Sequence, residues 1–322
     1  MATPSSALTT LRPDLGGSMM EFDLAMDAAG FIGTRIMPVI ESAVQAGTFG
    51  KIPIEQMLQS PETNRTSQGG YHRSDYSFTE DSFATKEQGW EEPVDDRDST
   101  LYADYFSAET MAAVRARDFV LRAQELRVAA AIFDSGTYNT TAITNEWDDW
   151  TNATPIDDVE AAVLRVYAAT GLWPESLTVN KKVFRNLRQC TQILDRIASV
   201  GAGDPTKATD VTTAMLAQVF DLPNILVAGS TKNTADEGQT ASLSPIWSDE
   251  YAFVGRLART SDIKEPCVGR TIHWGADGSQ IGGLIESYRD EPVRADIIRV
   301  RHEVTEKVIY AECGELLSNV TT

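Results

Sequence analysis

The sequence predicts an α+β fold, and three observations carry the prediction. Residues 103–134 place apolar side chains at helical spacing. Residues 155–200 alternate helix, strand and helix. The tail ADIIRVRHEVTEKVIYAE alternates apolar and polar residues with a period of two.

Residues 1–18 are small and polar, with Pro4, Pro13, Gly16 and Gly17, and read as an extended arm. An amphipathic segment follows at Phe22, Leu24, Met26, Phe31 and Ile32, and Pro38 stops any helix there. Two strand-like runs come next, at 48–54 (TFGKIPI) and 71–78 (YHRSDYSF), separated by the turn formers SPETNRTSQGG. They make a long hairpin with few residues able to build a core. Such a hairpin is marginal alone in water, so it packs on its own sheet or reaches another chain.

In residues 103–134, Ala112, Ala116, Phe119, Ala123, Leu126, Ala130 and Phe133 step by four and three alternately. A second stripe carries Met111, Val114, Leu121, Val128 and Ile132, interrupted by Asp118 and Glu125. Two stripes predict a helix that touches protein on two sides, on the order of 48 Å long. Thr154 and Pro155 then open a helix with Asp157, Asp158 and Glu160 in its first turn, where carboxylates suit the dipole, and Gly171 ends it. SLTVN at 176–180 reads as a strand and 181–197 as one helix. GAGDPTKATD is a loop, 211–220 a helix, 224–230 a strand and 231–244 a polar loop. The rest is β-rich: EYAFVGRLA, TIHW, a turn at Asp277 and Gly278, QIGGLIESYRD and the tail. In the tail Ile298, Val300, His302 and Val304 alternate with Ile297, Arg299, Arg301 and Glu303, a half-buried strand.

Charge narrows the function. The 28 Lys+Arg against 47 Asp+Glu give −19 over 322 residues, which excludes a protein that reads nucleic-acid sequence through a basic footprint. It also excludes a polybasic membrane-surface protein. Residues 80–98 hold eight acids and two bases, about a third of the net charge, whereas 155–200 is slightly basic. Cys190, Cys267 and Cys313 show no CxxC spacing, which gives neither a disulfide framework nor a zinc signature. The N-terminus lacks a signal-peptide pattern, and the longest fully apolar run, 128–133, is far short of a membrane span. No GxSxG, Walker A or HExxH is present. His72, His273 and His302 fall in predicted strands at wide spacing and read as structural. Cys190, flanked by Arg185 and Arg188, reads as a core cysteine. The pairs Glu91-Glu92, Asp95-Asp96, Asp148-Asp149 and Asp157-Asp158 read as solvent-facing rather than as a glycosidase pair. No catalytic, cofactor-binding or metal residue is assigned.

The order polar arm, long hairpin, long helix, α/β segment and long antiparallel strands resembles the major capsid proteins of tailed double-stranded DNA bacteriophages, the Hong Kong 97-type fold. The stretch DDVEAAVLRVYAATGLWPESLTVNKKVFRNLRQCTQILD, with its strand ending at Asn180, is similar to the family's helix–strand–helix. MLAQVFDLPNILVAG looks like its helix, Leu-Pro, strand turn at Leu222 and Pro223, and YRDE precedes the long closing strand. The resemblance implies an N-terminal arm at 1–46, an extended E-loop at 47–97 and a peripheral (P) domain with a spine helix at 98–154. It further implies an axial (A) domain at 155–262 and closing strands at 263–322 that return through both. It implies a shell of hexamers and pentamers around the packaged genome, assembled in the host cytoplasm. A separate scaffolding protein, a portal and a decoration protein are the implied partners. No membrane contact and no sequence-specific DNA binding are implied.

Charge adds a contact hypothesis: Glu91, Glu92, Asp95 and Asp96 meet Lys181, Lys182, Arg185, Arg188 and Arg196 of a neighbouring copy. Two other readings stay open at this point. One is an encapsulin-type nanocompartment shell of the same fold. The other is a cytoplasmic hydrolase working through carboxylates.

Overall fold

The computed structural model describes residues 10–11, 30–73, 75, 77–102, 107–199, 211–236, 238–276, 278–279 and 281–322. In chain order the elements begin with β1 (Thr10–Leu11), α1 (Gly33–Ile36), β2 (Val39–Ser42), β3 (Ala46–Lys51), α2 (Ile54–Met57), β4 (Thr79–Ala84) and β5 (Lys86–Asp95). Next come α3 (Asp96–Tyr102), α4 (Ala108–Ile132), β6 (Asn139–Ala142), α5 (Pro155–Thr170) and β7 (Ser176–Asn180). They are followed by α6 (Lys181–Leu187), α7 (Thr191–Ser199), α8 (Thr213–Phe220), β8 (Asn224–Ala228), β9 (Thr231–Asn233) and β10 (Leu243–Pro245). The chain closes with β11 (Ala252–Gly255), β12 (Gly269–Trp274), β13 (Leu284–Asp290), β14 (Ala295–Val308) and β15 (Gly314–Ser318).

Two larger sheets organise these elements. In the first, β14 is the hub. It pairs antiparallel with β13, with β12 and with β5. Val304 faces both His273 of β12 and Lys86 of β5, so β5 holds one edge of β14 while β13 and β12 follow each other along the other. β2 extends this sheet in parallel beyond β12, and β1 pairs with β13. The second sheet runs β6-β15-β11-β7-β8, with β15–β6 and β7–β8 parallel and β11 antiparallel to both its neighbours. β3 and β4 form a separate two-stranded ribbon.

Ile298, Val300, His302 and Val304 are buried on β14 as expected, but Ile297 and Glu303 of the alternate set are buried as well, so the strand is covered on both faces rather than half-buried. Pro155 starts α5, and Gly171, at φ +67, ends it in the left-handed conformation that glycine tolerates. Asn180 closes β7 and caps α6, accepting from the Lys182 N–H.

The long helix is shorter than expected. It runs from Ala108 to Ile132, capped by Ser107, and spans roughly 38 Å; residues 103–106 lie outside the described residues. Its buried face takes Ala116 from the first expected stripe and Val128 and Ile132 from the second, and adds Ala113, Val120, Gln124, Glu125 and Ala129, which neither apolar stripe contained. Ala113, Ala116 and Val120 pack on Val94, Ile285, Ile298 and Val300 of the first sheet. Farther along, Val128 and Ile132 join Ile32, Ile36, Met37, Trp247, Phe253 and Leu316 in a second core. A third core sets α5 to α8 against the second sheet around Leu177, Val179, Val183, Leu187, Ile193 and Leu216.

Four further expectations change. The polar loop expected at 231–244 carries β9 and β10, which pair antiparallel. The helix at 181–197 is two helices, broken between Leu187 and Thr191, where the Thr191 N–H turns to the Trp150 carbonyl. The hairpin exists, but its second strand is Thr79–Ala84, and residues 71–73, with His72, lie in no strand. Ile54 leaves the first strand and opens α2 instead. The 201–210 loop and Asp277 lie outside the described residues. Gly278 has φ +83, a turn conformation.

Candidate functional site

The hairpin is anchored at its root and bare beyond it. Lys307 pairs with Asp81 at 2.6 Å, Lys51 sits 4.3 Å over the Tyr310 ring, and the Tyr310 hydroxyl donates to the Ile52 carbonyl. Gln56 and Ser77 hydrogen-bond across the two arms. Past them the described residues from Leu58 to Phe78 are almost all exposed and carry no regular element, with Tyr71 73% and Phe78 59% exposed. A second apolar surface lies beside the root. Tyr167 stacks on Trp173 at 4.3 Å, exposed Leu164 is on the same helix, and Leu58 packs against Gly171. Apolar side chains left in water at this density mark contact surfaces.

The acidic residues lie on β5 and α3, and most face arginines of their own chain. Glu91 takes the Arg299 guanidinium at 2.6 Å and the Tyr288 hydroxyl at 3.2 Å. Glu92 accepts from the Trp90 indole and lies 3.4 Å from Arg115. Asp95 caps the turn into α3 by accepting from the Arg97 N–H. Asp96 forms a two-pronged pair with Arg289, both bonds 2.6 Å, and those hydrogen bonds hold its carboxyl below the usual carboxylate range. The outer edge of β5 has no strand partner among the described residues.

The basic residues lie on a different element. Lys181, Lys182 and Arg185 are exposed on α6, Arg188 sits just past its end over the Phe184 ring, and Arg196 is on α7. Lys182 pairs with Asp249 at 2.8 Å. The two expected groups therefore do not meet within one chain.

Among the described residues no group of three His, Cys, Asp or Glu is placed to hold a metal ion, and no helix is long and apolar enough to cross a membrane. Cys190 is fully buried, and burial pushes its thiol up to about 12, away from reactivity. His273 is buried beside Ser279 at 3.2 Å, and His302 is buried on β14.

The residue that sequence reasoning missed is Glu125. Buried at 4% exposure in α4, it accepts the N–H groups of Ile32 and Gly33 and the Trp247 indole N–H, at 2.7–2.9 Å. It thereby caps α1 and fastens the segment leading from the arm to the long helix. Burial raises its carboxyl above the ordinary value despite three donors. The available signal was a glutamate inside an apolar stripe.

No protein-family model matches the chain. The major capsid protein of Pseudomonas phage JBD67 is 22% identical over 293 residues, covering 89% of this chain and 91% of that protein. Among solved structures, a phage-related protein of Bordetella bronchiseptica RB50 is similar at TM-score 0.69 and 18% identity, over 97% of this chain and 98% of the other. The capsid of cyanophage P-SCSP1u is similar at TM-score 0.57 and 9% identity, over 88% and 86%. The fold is the Hong Kong 97-type capsid fold.

Proposed function

We propose that this chain is the major capsid subunit of a tailed double-stranded DNA phage, closing into hexamers and pentamers that tile an icosahedral shell. The observation that carries the reading is the end-to-end likeness to a phage major capsid protein, at a nearly equal share of both chains. The bare hairpin agrees with it, because a segment without a core becomes stable by lying on a neighbour. Such contacts are heterologous: one patch meets a different patch, and rotation closes the ring.

In this reading the acidic surface suits a wall that encloses DNA without gripping it, since a basic wall would bind phosphate through counterion release. A separate scaffolding protein, a portal and a decoration protein are the partners it calls for, with assembly in the host cytoplasm. The role is structural rather than enzymatic.

Electron microscopy of the expressed chain tests the reading. Rings, shells or tubes of one repeating subunit are expected, and a small discrete particle at every concentration refutes it. Double-stranded DNA inside native particles separates a virion from a protein-filled compartment.

The charge contact is part of the proposal: the acids of β5 and α3 meet the cations of α6 on the next copy. Each exposed pair is worth only about 0.2–1 kcal/mol, but a ring repeats the contact once per subunit. Lys181→Glu with Arg185→Glu is expected to lower assembly yield, most at low salt, and to leave the unfolding midpoint unchanged. Light scattering and thermal melts read the two quantities. Assembly at normal yield and normal salt dependence refutes the contact.

A further inference from the structure

The joint between α4 and the first sheet buries two polar side chains that no other part of the fold uses. His302 on β14 is fully buried, and Gln124 on α4 is 3% exposed. Among the described residues, neither ring nitrogen of His302 and neither amide atom of Gln124 has a hydrogen-bond partner. Buried polar groups are nearly always paired, so four orphan atoms in one joint call for an explanation.

Contacts along the joint place the two side chains at one level. Arg115 reaches Glu92, Phe119 packs on Trp90, and Arg127 pairs with Glu306. Glu92 and Trp90 lie opposite Ile298 and Val300 in the ladder, and His302 lies opposite Gln88. Advancing along α4 from Arg115 to Arg127 therefore follows β14 from Ile298 to Glu306. Gln124 falls in the interval that contains His302.

We propose that this joint is an acid-operated release, in which protonation of His302 detaches α4 from the first sheet. A neutral imidazole is the one form this site tolerates. Arg127 acts on it from α4 and His273 from β12, one a cation and one a potential cation, and its opposite number on β5 is the neutral Gln88. Of the carboxylates on this face of β14, Glu306 has both oxygens held by Arg127, and Asp296, six residues before His302, lies beside Arg289. Glu125, next to Gln124 on α4, is turned toward α1 and Trp247. A proton on His302 would put a charge without a counter-ion into a dry joint.

Burial, with Arg127 and His273 nearby, brings His302 down to about 4. An opened joint returns the ring to its ordinary value of 6.5. The closed state is then fully favoured above that value and loses stability as pH falls toward 4. This inference concerns one chain and does not rest on shell formation.

The test is a titration of the full chain from neutral pH to about pH 3.5. Backbone hydrogen exchange is read in residues 113–128 and 296–304, and C2 hydrogen exchange is read on the His302 ring. Both backbone segments are expected to lose protection together, over the pH interval in which His302 takes its proton. The second sheet is expected to stay protected to lower pH. In His302→Phe the loss is expected to move down by about one pH unit. An unmoved midpoint in that variant overturns the proposal. So does a His302 ring that titrates near its ordinary value while the joint stays protected. If His302→Phe does not fold, the wild-type ring and backbone exchange decide alone: coupled loss supports the release, and uncoupled loss overturns it.

Discussion

Replacing Glu125 with alanine is expected to cost about 3–5 kcal/mol of unfolding free energy, read by urea denaturation. The carboxylate serves three donors at once: the N–H groups of Ile32 and Gly33 and the Trp247 indole. All three lie at the core where α1, the C-terminal half of α4 and the second sheet converge, with Ile32 3% and Trp247 0% exposed. Removing the acceptor leaves buried N–H groups without partners, each costing roughly 1–3 kcal/mol. Glu125→Gln is expected to cost clearly less. Its one carbonyl oxygen can still serve Ile32 and Trp247, which share the same carboxylate oxygen, while its amide nitrogen opposes the Gly33 N–H. An alanine variant within about 1 kcal/mol of the parent would show that this tie is dispensable.

Glu265→Ala is expected to be comparably damaging, at about 3–5 kcal/mol, because it strands a buried cation. Arg270 is 1% exposed, and its guanidinium meets Glu265 at 2.7 Å. The same carboxylate accepts the Arg259 and Thr260 N–H groups and the Thr260 hydroxyl, folding residues 259–265 into a tight loop. Burial alone would raise its pKa, but these donors and Arg270 outweigh burial and hold it below the ordinary 4.5. Its contribution is therefore present above that value and lost as pH falls through the lower, folded-state value. The double variant Glu265→Ala with Arg270→Met removes both charges. It is expected to recover part of the loss in a thermal melt. A double variant no more stable than Glu265→Ala would place the cost in the loop rather than in the stranded charge.

The two residues were opaque in the sequence for different reasons: the donors of Glu125 are far along the chain, whereas those of Glu265 are five or six residues away and are gathered only by the turn of a loop. Glu125 read as an interruption of an apolar stripe, because its donors are 92, 93 and 122 residues away. The buried face of α4 was misplaced because alanines populate several of its faces, and alanine reports helix more clearly than direction. Where a local signal sets structure, the reading held. Pro155 and Gly171 bound α5, Asn180 caps α6, and a period of two runs through β14.

The hairpin shows the limit from the other side. Its residues lacked a core of their own in the sequence, and in the fold only its root, at Phe49 and Ile54, reaches one. Its second strand was sought in the aromatic run 71–78, yet TEDSFA pairs instead, with Phe83 beside Gly47. That pairing is fixed by the ribbon's root on β14, which no local propensity reveals. The acidic run was legible as a charge concentration but not as a partner set. The arginines that Glu91 and Asp96 meet, Arg299 and Arg289, lie on β14 and β13, about two hundred residues later.

The position of β14 and β15 in the chain has a consequence for biosynthesis. β14 is the strand on which β5, β12 and β13 all depend, and β15 sits between β6 and β11 in the other sheet. Both are made after every strand they join. At about 5–20 residues per second, β5 and β6 lie without a strand partner until β14 and β15 have been made, whereas β7, β8 and β11 can already pair with one another. The complete sheets therefore form only after both late strands have left the ribosome. A prematurely released chain is left with unpaired strands, exposed to chaperones and proteases.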